Sequence, residues 1–111
     1  MNEQLYYGNL KNDMGYLLIK NKYANTATVM FTVRVGSRNE NTSTNQRGIS
    51  HFLEHMLFKG TEKRITSKNI SNDLYKHGAE FNAFTDYDVT GYYVKINSKY
   101  IETAIDVLSD M

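Results

Sequence analysis

The stretch TATVMFTVRVGS, residues 26–37, alternates in side-chain character with a period of two. Val29, Phe31, Val33 and Val35 fall on one face, with Thr28, Met30, Thr32 and Arg34 on the other. Side chains alternate sides only in an extended chain, and the β-branched residues here favour that state, so a strand is predicted. YLLIK, residues 16–20, is a second, shorter strand candidate. Residues 38–48, RNENTSTNQRG, are polar and without period and read as a loop.

Helical periodicity follows. A first helix is predicted from about Gly48 to Lys59, ended by Gly60. A second begins after Thr66 as N-cap and stops at Gly78, with Ile65 and Ile70 at the two positions of a hydrophobic staple. AEFNAF (79–84) and DVTGYYVKI (88–96) read as strands joined by a turn at Thr85–Tyr87, Gly91 being the weak point of the second. Residues 98–111 form a third helix opened by Ser98, with Ile101, Ile105 and Leu108 at helical spacing and no stop signal before Met111. This order predicts an α+β class, with helices packed on one face of a largely antiparallel sheet.

Composition sets the outer bounds. At 111 residues the chain is one small domain or a piece of a larger one. Nine Tyr, five Phe and 41% apolar residues are enough for a core. Thirteen basic and twelve acidic residues are scattered, with no basic stripe, so nucleic acid is not an expected partner. Cysteine is absent, so any metal ligand must be His or carboxylate. MNEQLYYGNL has the character of neither a signal nor a transit peptide, and no apolar run approaches a membrane span of ~20 residues. A cytoplasmic location without membrane association is the expectation.

HFLEHMLFKG, residues 51–60, carries the chemistry. On a helix His51, Glu54 and His55 share one stripe, the two histidines only ~40° apart. Ile49, Phe52, Leu53, Met56 and Leu57 fill the opposite arc, which is expected to face a core. Imidazoles at i and i+4 can bind one zinc ion from a single turn. A glutamate beside them can take a proton from water whose pKa zinc lowers to about 7, and pass it to a leaving amine. A plain solvated helix face competes with this reading. An H-x-x-E-H match arises by chance roughly a few times in a thousand chains of this length. Elsewhere, His77 is read as a helix-end residue of structural use. Glu80, Asp86 and Asp88 are read as turn and surface residues, and Arg34 as a packed stem with a solvated head.

Beyond the five-residue motif, GSR (36–38), G-x-x-HFLEHMLFKGT (48–61) and GAEFNAFT (78–85) stand in an order and spacing that strongly resemble the pitrilysin family of zinc metallopeptidases. Insulin-degrading enzyme and the mitochondrial processing peptidase belong to that family, whose motif is the inverzincin one. The resemblance covers roughly residues 8–111. It implies a zinc metalloendopeptidase acting on extended peptides or unfolded protein, with His51 and His55 as zinc ligands and Glu54 as general base. It also implies that Asn82 and Ala83 offer backbone to an extended substrate, with Phe84 near a substrate side-chain pocket.

The family's third zinc ligand is a glutamate seventy-odd residues after the motif, which places it near position 130, beyond Met111. A second homologous domain or subunit is implied as well. Residues 1–111 then form the N-terminal portion of one peptidase domain, with too few ligands to be active alone. The rival readings are a non-catalytic relative acting as a binding or scaffold subunit, and a small α+β binding domain whose motif arose by chance.

Overall fold

A computed structural model describes residues 3–111. Its elements in order are β1 (Glu3–Asn9), β2 (Gly15–Asn21), β3 (Thr26–Val33), α1 (Ile49–Leu57), α2 (Ser67–Tyr75), β4 (Glu80–Thr85), β5 (Thr90–Asn97) and α3 (Ile101–Asp110). The α+β class and the antiparallel pairing agree with the sequence expectation. β3, β5 and β4 form an antiparallel sheet in that order, with β5 central and β4 at an edge. β1 and β2 make a separate hairpin in which Leu5 pairs with Ile19 and Tyr7 with Leu17. The sequence reading missed β1, whose EQLYYGN lacks clean alternation because it is exposed along almost its whole length.

One face of the three-stranded sheet holds the core. Tyr92, Val94 and Ile96 of β5 point to it, flanked by Val29 and Phe31 of β3 and by Phe81 and Ala83 of β4. Ile70 and Leu74 of α2 and Ala104, Val107 and Leu108 of α3 close over them. Five of these side chains, Ile70, Leu74, Val94, Ile96 and Val107, are at most 2% exposed, and each contributes about 1.5–3 kcal/mol of hydrophobic burial. The face predicted for β3 is the one used, although Val33 and Val35 run past the helices and stay exposed.

The helix punctuation held in part. Thr66 caps α2 by accepting the Asn69 amide at 3.2 Å, while the Thr66 amide donates to Asn69 Oδ1 at 3.1 Å. The hydrophobic staple does not form, because Ile65 is exposed whereas Ile70 is buried. Gly78 adopts φ +67°, the left-handed conformation that lets the Ala79 amide reach back to the Leu74 carbonyl and end the helix. Ser98 is not the cap of the last helix. Residues Ser98–Tyr100 form a 3₁₀ turn, with Asn97 Oδ1 accepting the Lys99 amide.

The chief correction concerns α1. Its predicted core-facing residues Ile49, Phe52, Leu53 and Met56 are 43–64% exposed, whereas Glu54 is 7% exposed and Ser50 is buried. The helix therefore buries Ser50 and Glu54, while His51 and His55 of the polar stripe stay exposed. The cause lies at two anchors. Thr85 of β4 donates a hydrogen bond to Glu54, and Glu40 accepts the backbone amides at the start of the helix. These polar contacts share the docking with Leu57, the one predicted core-facing residue of α1 that packs against the core.

Arg64, in the loop before α2, was not singled out in the sequence. Its side chain is only 10% exposed and meets Asp73 of α2 at 2.8 Å, with Asp106 and Asp110 of α3 at 2.6 and 3.0 Å. Thr61 also donates to Asp110. One guanidinium thus ties the loop after α1 to both core helices, a geometry its planar fork permits and an ammonium does not.

Arg64→Ala is expected to cost about 2–4 kcal/mol, because the carboxylates lose their partner. Chemical denaturation at pH 7 checks this, and Arg64→Lys should recover only part. Hydrogen bonds from Arg64 and then Lys63 hold the Asp106 carboxyl at about 2. That folded value lies below the unfolded one of about 3.9, so the stabilisation is complete above about pH 4 and fades as the pH falls toward 2. The Arg64→Ala protein should lose most of this acid dependence.

Candidate metal centre

The path to the site begins where β3 ends. The Ser37 and Arg38 amides donate to the Asp86 and Tyr87 carbonyls at 3.0 and 2.9 Å, and Thr90 Oγ1 donates to the Val35 carbonyl at 2.8 Å. Gly36 lies so close to this β4–β5 turn that a Cβ there would sit 2.1 Å from the Asp86 carbonyl oxygen. The GSR stretch is thus laced to the sheet. The loop it launches brings Glu40 under α1, where its carboxylate accepts the Gly48 amide at 2.7 Å and the Ser50 amide at 3.1 Å. These two amides hold the Glu40 carboxyl below its usual range. A carboxylate at a helix N-terminus also meets the favourable end of the dipole. Sequence reasoning missed Glu40. The available signal was a helix starting at Gly48 with no capping side chain of its own, which demands an acceptor from elsewhere.

Seated in this way, α1 brings His51, Glu54 and His55 together. The two Nε2 atoms lie 2.9 Å apart with ring centroids 4.5 Å apart. One ring nitrogen from each histidine and a Glu54 carboxylate oxygen all fall within 4.8 Å of one another. Both imidazoles are exposed, and the carboxylate is buried between them and the sheet. Two nitrogens each ~2.0–2.1 Å from a tetrahedral zinc would be separated by roughly 3.3 Å, so the observed spacing needs only a small adjustment. Two imidazoles at this spacing, with no thiolate beside them, fit zinc.

Glu54 Oε2 accepts a 2.6 Å hydrogen bond from Thr85 Oγ1, a contact the sequence reading did not anticipate. Across the strand pair, Tyr92 is buried, and that burial together with the Glu54 charge pushes its hydroxyl above the ordinary range.

β4 forms the other wall. Asn82, Ala83, Phe84 and Thr85 line a cleft shared with His51, Glu54 and His55. The Ala83 amide donates to the Asn82 side-chain oxygen at 2.9 Å. An acceptor at that distance has no room between paired strands ~4.8 Å apart, so the Ala83 N–H points to the free edge. The Phe84 ring lies across Gly91, its partner on β5, so closely that a Cβ at Gly91 would be 2.5 Å from it. That explains the glycine inside β5, which the sequence had marked only as a weak point.

The remaining polar residues lie elsewhere. His77 stacks on Tyr100 with centroids 4.0 Å apart. Glu80 faces Lys95, and Asp88 faces Arg38, both at the surface. Arg34 is exposed. No helix among the described residues is long and apolar enough to cross a membrane.

Several known proteins are similar to this chain. A zinc protease of Rickettsia felis, itself described as uncharacterized, is 38% identical over 111 residues, which is 100% of this chain and 26% of that protein. The mitochondrial-processing peptidase subunit beta of Dictyostelium discoideum is 40% identical over 89 residues, covering 80% of this chain and 19% of that one. The crystal structure of pitrilysin superposes with a TM-score of 0.89 at 29% identity, over 99% of this chain and 12% of that one. The chain therefore spans about a quarter or less of the length of these relatives. Residues 16–111 match the family model described as Insulinase (Peptidase family M16), and the chain belongs to that peptidase family.

Proposed function

We propose that residues 1–111 form the N-terminal portion of one peptidase domain and carry the metal-and-base part of a zinc metalloendopeptidase site. The convergence of the His51 and His55 ring nitrogens beside a buried, anchored Glu54 is the observation that carries this reading. His51 and His55 hold the ion, and a third protein ligand comes from outside these residues, since hydrolytic zinc centres normally have three. Zinc in that position supplies Lewis acidity to the scissile carbonyl and to the attacking water.

The chain's own groups do the rest. Glu54 takes a proton from the water as its oxygen attacks the carbonyl carbon, then delivers that proton to the amine nitrogen as the C–N bond breaks. The free edge of β4 receives an extended peptide, with the Ala83 amide exchanging the Asn82 side chain for a substrate carbonyl. Main-chain pairing of this kind requires an unfolded segment as substrate, and Phe84 contributes a wall to a side-chain pocket. The exposed apolar stripe of α1 is available for packing against a second homologous domain or subunit.

The full-length gene product is expected to cleave an unstructured peptide and to spare a folded protein of the same composition. A zinc chelator should abolish the cleavage, and added zinc should restore it. Cleavage that persists at full rate after the metal is stripped, measured by mass spectrometry of the products, would overturn the reading.

A further inference from the structure

We propose that Thr85 is a positioning residue for peptide hydrolysis, its hydroxyl fixing the Glu54 carboxylate against the substrate-bearing strand; this rests on the reading of Glu54 as general base. The contact is short, 2.6 Å from Thr85 Oγ1 to Glu54 Oε2, as expected of a hydroxyl donating to an ionised carboxylate. It is the one hydrogen bond that the Glu54 side chain makes among the described residues. No buried side-chain oxygen there lacks a partner, so Oε1, which has none, opens to the cleft. One oxygen is tethered and the other is left to exchange protons.

The tether answers a particular problem. α1 fixes the Glu54 backbone, but three side-chain torsions still separate that backbone from the reacting oxygen, and helix geometry does not set them. Thr85 sets them from β4. It lies two residues from Ala83, whose amide faces the free edge. Base and peptide-binding edge are thus held by one strand, and a shift of β4 moves both together. Thr85 is held in turn by its register with Thr90 of β5, whose own hydroxyl is bonded to the Val35 carbonyl. Its branched Cβ also limits the hydroxyl to few orientations.

The test compares Thr85→Val, which keeps shape and removes the donor, with Thr85→Ser, which keeps the donor, both in the full-length gene product. Thr85→Val is expected to lower kcat ~10–100-fold while KM and zinc stoichiometry stay at wild-type values. Thr85→Ser should recover most of that loss. A second readout uses metal-free protein. Thr85→Val should lower its Tm by several degrees when Glu54 is present and leave it unchanged when Glu54 is already Ala, since the donor then has no partner.

A Thr85→Val enzyme with wild-type kcat, alongside an inactive Glu54→Gln control, would overturn the positioning role and leave the peptidase reading standing. So would a Thr85→Ser variant as impaired as Thr85→Val. A Glu54→Gln control as active as wild type would overturn the peptidase reading, and this inference with it.

Discussion

Glu54→Gln in the full-length gene product is expected to reduce peptide hydrolysis by roughly 10²–10⁴-fold, the range that a general base contributes, with zinc content unchanged. The substitution is nearly isosteric, and the amide oxygen can still accept the Thr85 hydroxyl, so the anchor between α1 and β4 persists. The amide cannot take up a proton near neutral pH. A carboxylate within 4.8 Å of both imidazole nitrogens could also serve as a third ligand, and this variant separates the two roles. Loss of activity with full zinc assigns the proton-transfer role. Loss of zinc in parallel with activity would make Glu54 a ligand, and full activity would remove it from the chemistry.

His51→Ala and His55→Ala are each expected to lose zinc and hydrolysis together. With one imidazole of the pair gone, the remaining ligands neither fix the geometry nor hold the ion against chelators, and affinity should fall by ~100-fold or more. Both side chains are exposed, so folding should change by no more than about 0.5 kcal/mol. Zinc titration beside a thermal melt checks the pair of expectations. A variant that melts like wild type and binds no zinc locates the ion. A variant that keeps stoichiometric zinc would show that the ion lies elsewhere.

The sheet and its helices were legible because their signals are local. The alternation around Val29 and Phe31, the Thr66 cap and the Gly78 stop depend on residues a few positions apart, and each was used as read apart from the staple at Ile65. The orientation of α1 was not legible. Its apolar stripe argues for a buried face, and the rule fails because Glu54 finds its partner at Thr85, 31 residues on, and the helix start finds its own at Glu40. Pairings of that range leave no periodicity to read.

The same holds for Arg64, whose carboxylates on α3 lie 42 and 46 residues away. The proximity of His51, Glu54 and His55 was legible, since their spacing on one helix turn sets it whatever the helix packs against. Hydrophobic pattern predicts docking well where packing decides it. Here two carboxylates weigh heavily in it, and the helix buries Glu54 while His51 and His55 stay exposed.

The most direct measurement is anomalous diffraction at the zinc absorption edge from crystals of the full-length gene product. The account predicts one strong peak within ~2.0–2.1 Å of the Nε2 atoms of both His51 and His55. A zinc peak bound elsewhere, or none beside these two histidines in a protein that hydrolyses peptides, would contradict it.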